Sequence, residues 1–367
     1  MRIPVVSHDN QPLMPTTPAR ARKWIASGKG IKRWLDCGQF YVQLTAEPFG
    51  RDTQDIVVGI DPGKKYSGIG VQSARFTLYT AHLVLPFQTV RDRMDARQLM
   101  RRGRRGRRIN RKVEFSKRAH RQKRFSNRRQ NRLAPSIRAN RQLELRIVSE
   151  LCKLYPVVEI RYEYVRADVD LTSGRKKAKP GSCFSPVMVG QKWMLKQLEP
   201  FAPVVKIEGY QTALTRTHLG LAKNKADKSK AEFTTHAIDG VAIAATHFVE
   251  YRKYHRVNED GANWFGFVSI TPAPFFVIRR PPYSRRQLHL MVPAKGGIRR
   301  KYGGSTTRHG FRKGDLVNSP KGIGYVSGDT EKQISVSDAN WKRLGQIASS
   351  KVRLIRRSTG LIVACEF

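Results

Sequence analysis

Acidic residues are scarce in this chain. Only 28 Asp and Glu stand against 70 Lys and Arg in 367 residues, leaving a formal charge of +42 near neutral pH. A chain repelling itself so strongly calls for a polyanionic partner. Long apolar runs are missing too. No stretch approaches the ~18 to 20 residues of a membrane span, and the opening MRIPVVSHDN lacks the hydrophobic run of a secretory signal, so a cytoplasmic protein is expected. Cysteine is sparse: Cys37, Cys152, Cys183 and Cys365 lie far apart without a paired spacing. A disulfide framework and a four-cysteine zinc site are thereby excluded, and buried, reduced thiols are expected.

What is present fits a folded protein of two or three domains. Hydrophobic residues make up 40% of the chain, enough for a sizeable core. The positive charge comes in blocks. Between Arg101 and Arg132 stand sixteen basic residues, thirteen of them arginine (Arg101, Arg102, Arg104, Arg105, Arg107, Arg108, Arg111, Arg118, Arg121, Arg124, Arg128, Arg129 and Arg132), against one acid, Glu114. The arginine fork suits bidentate phosphate contacts. Ile109, Val113, Phe115, Ala119 and Phe125 are too thinly spread to insert into lipid, so nucleic acid is the better partner. A second basic zone, Gly261 to Gly314, has eleven Lys and Arg and no acid. There, short apolar runs alternate with Pro and Gly breaks, and GFRKGDLVNSPKGIGYVSG (310 to 328) reads as short strands and tight turns. The segments up to the end, including KVRLIRRSTGLIVACEF, are expected to join the same small β domain.

The middle of the chain has a different pattern. Ile56–Ile60, Ile69–Gln72 and Phe76–Leu85 read as three strands joined by short turns, an antiparallel meander. Ser136–Tyr155 carries Leu143, Ile147, Val148, Leu151 and Leu154 at helical spacing and stops at Pro156. Pro156–Tyr164 is strand-like, Met188–Leu198 helical, Val204–Ile207 strand-like and Thr235–Tyr251 helical. The order βββ, α, β, α, β, α is that of a ribonuclease H-like α/β fold with a mixed sheet.

Because acids are few, they are where chemistry is to be sought. Asp61 ends an apolar strand, flanked by Gly59 and Gly63, where a carboxylate could hold Mg²⁺ while phosphate approaches. A turn Asp before Pro-Gly is the plain alternative. In VVEIRYEYVRAD, strand alternation puts Glu159, Arg161 and Glu163 on one face. Glu163 is preferred for its place near the strand's carboxyl end, where open α/β sheets bind ligands. Glu159 competes for the same role, and a surface salt bridge between Glu159 and Arg161 is the plain alternative. In TTHAIDGVAIAATHFVEY, the three-residue spacing sets His236 and Asp239 on one face of a helix's first turn.

These marks carry a resemblance. IDPG at 60 to 63, the Glu163 strand and HAID at 236 to 239 resemble the three segments of a RuvC-type nuclease. The arginine block ahead of APSI (134 to 137) resembles the bridge helix of IscB-like proteins, PLMP (12 to 15) their N-terminal motif, and LGLAKNKAD (219 to 227) their approach to the third RuvC segment. IscB and type II CRISPR effectors insert an HNH nuclease between the second and third segments. Here Val165–Thr235 has one cysteine and one histidine, His218, so the insertion is absent and the chain resembles the IsrB family, the HNH-lacking relatives of IscB. Gly240 stands where that family often has alanine.

The resemblance implies an RNase H-like (RuvC) core split by an arginine-rich bridge helix, with a small N-terminal PLMP domain and a C-terminal β-rich domain. The implied boundaries are 1–52 for the N-terminal domain, 53–90, 136–170 and 231–260 for the RuvC-like segments, 91–135 for the bridge, 171–230 for the connection without HNH, and 261–367 for the C-terminal domain. It also implies an RNA-guided nickase of the displaced DNA strand, monomeric in a ribonucleoprotein with a transposon-encoded guide RNA and double-stranded target DNA, and bound to no membrane. Asp61, Glu163 and Asp239 would hold two Mg²⁺ ions, with Mn²⁺ able to substitute. His236 would orient or deprotonate the attacking water. The C-terminal domain would read a short duplex motif beside the target, its candidates being Arg279, Arg280, Arg285, Arg286, Arg299, Arg300, Lys301 and Arg312, with Arg308 in the same stretch. The alternatives are a resolvase-like nuclease working without RNA, an actin-like ATPase, for which no second phosphate loop is visible, and a non-catalytic RNA-binding scaffold.

Overall fold

The computed structural model describes residues 1–107, 110–117, 133–166, 185–256, 259–282 and 307–366. The first unit holds β1 (Ile3–Val6), β2 (Pro12–Thr16), α1 (Pro18–Ala26), β3 (Gly30–Trp34) and β4 (Phe40–Leu44), with strand order β2-β1-β4-β3. Thr17 caps α1 by accepting from the Arg20 backbone N–H, Pro18 occupies the first turn, and Ala21 packs against Ile3 and Val42.

The core follows. β5 (Ile56–Asp61), β6 (Tyr66–Ser73) and β7 (Thr77–Val84) form the antiparallel meander, then come α2 (Phe87–Arg107) and α3 (Pro135–Cys152). After these run β8 (Val157–Glu163), α4 (Pro186–Leu198), β9 (Val204–Ile207), α5 (Gly209–His218) and α6 (Ile238–Ala245). A hairpin of β10 (Val249–Arg256) and β11 (Glu259–Gly266) leads to β12 (Phe275–Arg279). The last strands are β13 (Leu316–Ser319), β14 (Gly322–Asp329), β15 (Gln333–Ser337), β16 (Arg343–Ala348), β17 (Arg353–Arg356) and β18 (Ile362–Glu366).

The central sheet has seven strands in the order β18-β12-β7-β6-β5-β8-β9. β5 is antiparallel to β6 and parallel to β8, β6 is antiparallel to β7, β8 is parallel to β9, and β12 is parallel to β7. The run β7-β6-β5-β8-β9 with these directions is the ribonuclease H-like arrangement. Consequently β5, β7, β8, β9 and β12 all end at one edge of the sheet.

Ile56 to Ile60 are fully buried, as a central strand covered on both faces requires. Ile56, Val58 and Ile60 point to the face covered by Leu143, Ile147 and Leu151 of α3 and Met194 and Leu198 of α4. Val57, Gly59 and Asp61 therefore point to the other face, covered by α6. That helix lies very close to the sheet: a Cβ added to Gly240 would sit 2.7 Å from the Gly70 nitrogen and the Ile69 carbonyl carbon. Alanine does not fit here without a shift, which explains the residue in this chain.

Three expectations need correction. The helix expected over Thr235–Tyr251 is a π-helical turn over Phe233–Ala237 followed by α6, which ends at Ala245. Val249 onward is strand β10, in keeping with the β-branched and aromatic residues Val249, Tyr251 and Tyr254. The C-terminal segments do not form one β domain. β13 to β17 make a separate five-stranded sheet around Val317, Val326, Ile334 and Val336, whereas β12 and β18 extend the core sheet. Among the described cysteines Cys37 is buried and Cys152 half-buried, but Cys365 is exposed, because β18 is an edge strand. No helix among the described residues is long and apolar enough to cross a membrane.

Candidate active site

Asp61 and Glu163 end neighbouring parallel strands, each one residue beyond the paired Ile60 and Tyr162. Both lie on the α6 face. Asp239, in the first turn of α6, is only 2% exposed. His236 is brought onto the same spot by the π-helical turn, with Nδ1 3.3 Å from Asp61 Oδ2. The turn crosses β6 at Gly68, where a Cβ would lie 1.8 Å from the His236 carbonyl oxygen. A side chain at 68 would push the histidine away.

The three carboxylates lie near enough for their charges to act on one another. Burial, then the charges of Asp61 and Asp239, push Glu163 up to about 7, against a hydrogen bond from Thr212 (2.8 Å) and the charge of Lys223. Burial and Asp61 likewise raise Asp239 above the usual carboxylate range, while Lys223 and Arg216 pull the other way. Arg216 donates to Asp239 Oδ1 at 2.5 Å and Lys223 donates to Oδ2. Glu159 has other partners. It is engaged by Arg161 and lies 3.3 Å from His247 Nδ1, while Arg161 also reaches Thr246, at the far end of α6.

Donor chemistry fits a hard divalent cation, since oxygen ligands crowd at raised pKa and a positive ion would relieve them. The expected convergence of three ligands on an ion is nonetheless not met as the side chains stand. Among the described residues no three His, Cys, Asp or Glu side chains are grouped to hold one metal. Both oxygens of Asp239 are instead taken by Arg216 and Lys223.

Beneath the Asp61 loop lies a buried polar clamp. Arg141, 1% exposed, donates to the Gly63 carbonyl at 2.6 Å and to the Tyr162 hydroxyl at 3.0 Å, and pairs with Glu144 at 3.1 Å. Glu144 accepts from the Ser67 hydroxyl, whose oxygen accepts from the Gly63 N–H at 3.0 Å. Asn140 Nδ2 donates to the Lys64 carbonyl at 2.8 Å. One helix face, Asn140, Arg141 and Glu144, thus holds the Asp61-to-Ser67 turn. Beside His236 sits His82, its Nδ1 3.2 Å from Thr235 Oγ1; burial, then His236 and Arg279, lower its pKa to about 4. The His82, His236 and Tyr66 rings stand 5.2 to 5.6 Å apart.

Sequence reasoning did not single out Thr212, Arg216, His82, Arg141 or Glu144. An i, i+3 Arg–Glu pair in an otherwise apolar stripe was the one usable signal. Lys223 lay within a quoted motif but had no role. Of the basic candidates, Arg101 and Arg102 are exposed on α2, which also spans Arg104, Arg105 and Arg107, and Arg111 is exposed beyond it. Arg279 ends β12, Arg280 follows it, and Arg308 and Arg312 are exposed in the approach to β13. Arg108, Arg118, Arg121, Arg124, Arg128, Arg129, Arg132, Arg285, Arg286, Arg299, Arg300 and Lys301 lie outside the described residues.

With the fold and site in view, comparison with known proteins adds the following. Residues 3–180 match the sequence profile of a family described as RRXRR protein, and the chain reads Arg-Arg-Gly-Arg-Arg at 101 to 105. No curated protein matches the chain. Among solved structures it is similar to Thermus thermophilus RuvC in complex with a Holliday junction substrate, at 15% identity over 53% of this chain and 92% of that one, TM-score 0.27. Another Thermus thermophilus RuvC structure matches at 14% identity over 52% and 92%, TM-score 0.25. A CRISPR-Cas12f ternary complex matches at 14% identity over 62% of this chain and 47% of that one, TM-score 0.28.

Proposed function

We propose that the protein is a divalent-metal-dependent DNA endonuclease of the RuvC type, guided by RNA and cutting one strand. The observation that carries this reading is that Asp61 and Glu163 end neighbouring strands of a ribonuclease H-like sheet, with His236 against Asp61 and Asp239 near enough to feel its charge, in a chain of charge +42. Asp61, Glu163 and Asp239 would hold Mg²⁺, which supplies Lewis-acid polarisation of phosphate and a water of lowered pKa.

The chain's own groups have separable tasks. With Nδ1 donating to Asp61, the buried Nε2 of His236, which has no hydrogen-bond partner, would be the acceptor for a proton of a water admitted to the site. The clamp of Arg141 and Glu144 fixes the Asp61 turn. Thr212 aims Glu163, and Arg216 and Lys223 balance Asp239. The arginine-rich run would lie along RNA backbone, and base pairing rather than protein would choose the DNA sequence.

The test is cleavage of a supercoiled plasmid bearing a target to the guide that copurifies with the protein. Nicking is expected with Mg²⁺ and lost in EDTA and in Asp61→Ala, with RNA binding retained. Cleavage that survives Asp61→Ala, Glu163→Gln and Asp239→Asn refutes the site. Metal-dependent cutting of four-way junctions by RNA-free protein would favour the resolvase-like reading instead.

A further inference from the structure

We propose that the cavity between α2, the end of β12 and the β15–β16 turn is a binding site for unpaired nucleotides of a single strand. Its volume is about 830 Å³. That lies within the ~300 to 1,000 Å³ of sites enclosing a drug-sized ligand, so a nucleotide or two fits. A duplex, with a major groove alone about 12 Å wide, does not.

The walls are of two kinds. Arg93, Arg97, Arg146, Arg279 and Arg280 line the cavity, and no acid does so among the described residues. Arg146 is matched outside by Asp36 at 2.7 Å. Arg93 donates to the Pro282 carbonyl at 2.5 Å, and Arg279 to Asn340 Oδ1 at 2.9 Å. Burial pushes Arg279 below its usual guanidinium range. The charge of Asp338 opposes that shift, and so many guanidinium groups around one hollow favour an anion there, their forks matching phosphate oxygens.

Between the cations the lining is apolar: Val84, Val90, Met94, Pro135, Pro281 and Trp341. An inorganic anion has no use for those walls. A nucleotide has, because its base and sugar are apolar while its phosphate is charged.

Trp341 supplies the second observation. Its φ is +65°, a left-handed conformation that a bulky residue rarely adopts. The turn holds it there: the Trp341 N–H donates to the Asp338 carbonyl at 3.0 Å, and the Asn340 and Lys342 N–H groups donate to Asp338 Oδ1 at 2.9 and 2.7 Å. Glycine would sit there without strain. An indole kept at such a position and lining a cationic cavity fits a stacking platform for a base, and non-glycine residues so held recur at ligand clamps.

The place in the fold gives the site a use. Arg279 ends β12 at the same sheet edge as Asp61, and its charge reaches His82, the neighbour of His236. A strand crossing the acidic site therefore meets this cavity two strands beyond β6. The arrangement also bears on duplex reading by Arg279 and Arg280, because they line a half-open hollow and not a protruding edge.

The inference does not require cleavage, and its test is run in EDTA, so failure of the nuclease reading leaves it standing. Full-length protein freed of nucleic acid at high salt is titrated against fluorescent octamers, rU8 and dT8, and against a blunt 12-base-pair duplex. Trp341→Gly, which suits the turn, is expected to weaken octamer binding by about 5- to 150-fold, the range for loss of one base–aromatic stack. Trp341→Phe should retain most of the affinity, and duplex binding should change less than twofold. Arg97→Gln should lower the slope of log affinity against log salt by about 0.7. Preference for rU8 over dT8 assigns an RNA strand as occupant, and the reverse a DNA strand. Octamer binding unchanged in Trp341→Gly, or lost equally for the duplex, overturns the proposal.

Discussion

Replacing Arg141 by methionine is the sharpest probe of what fixes the Asp61 turn. The substitution keeps the stem of the side chain and removes a guanidinium that is 1% exposed. Three partners lose their donor at once: the Gly63 carbonyl, the Tyr162 hydroxyl and the Glu144 carboxylate. Removing one member of a buried pair typically costs about 3 to 5 kcal/mol, because the other charge is left uncompensated. For a cooperative unit of 150 to 250 residues each kcal/mol shifts Tm by about 2 to 4 °C, so a fall of roughly 6 to 20 °C is expected. The pH dependence separates this cause from lost packing. Burial already pushes Glu144 up to about 7 from 4.5, with Arg141 opposing. A carboxyl raised in the folded state favours folding below its unfolded pKa, and that advantage is lost as pH rises from 4.5 through the folded value. Without Arg141 the folded value climbs further, so the variant should be closest to wild type near pH 5 and weakest above pH 8. Replacing both residues, Arg141→Met with Glu144→Leu, should recover much of the loss. Calorimetry of the metal-free protein from pH 5 to 9 reads all of this. A single variant within 2 °C of wild type at pH 8, or a double variant less stable than the single, refutes the reasoning.

Other outcomes follow from the same geometry. Glu163→Gln should raise the Tm of metal-free protein at pH 8 and flatten its decline between pH 4.5 and 7, because the folded pKa near 7 makes the ionised form costly above that range; an unchanged melting profile contradicts the crowding of acids. Lys223→Met should strengthen Mn²⁺ binding about tenfold by calorimetry, since a cation within ~4 Å of a carboxylate is worth ~4 kcal/mol at an effective dielectric of 20 and partial exposure of the lysine reduces this; weaker binding would mean that Lys223 supports the ligand set. Gly240→Ala should destabilise by about 1 to 3 kcal/mol, measured by urea unfolding, because its Cβ would enter the backbone of β6; an unchanged midpoint would show that α6 can move outward at little cost.

How much of this was legible beforehand depended on how local the cause was. The β5–β7 meander and the α3 stripe are written as apolar period and run length, which neighbouring residues alone decide. Alternation along β8 put Glu159, Arg161 and Glu163 on one face without separating the two glutamates; position along the strand is what sets Glu163 next to the end of β5 and Glu159 beside Arg161. Where β18 goes is not local. IVACE reads as strand wherever it pairs, and only the open edge of β12 determines that it joins the core. Thr212 and Arg216 carry no pattern in one dimension, because their role comes from the distance between α5 and the ends of two other elements. The end of α6 at Ala245 was hidden for a related reason: Thr246 to Tyr251 is apolar enough for a helix, and the pairing of Val249 with Gly266 overrides it.

The long basic excursion begins just after β7 ends at Val84 and gives way to α3 at Pro135, and these two residues line the same cavity. Its roots are therefore adjacent, so the seven strands close without regard to how far the excursion travels. Entropy of closure grows only with the logarithm of loop length. The segment can accordingly be lengthened or shortened at little cost to folding, while the sheet beneath keeps its shape.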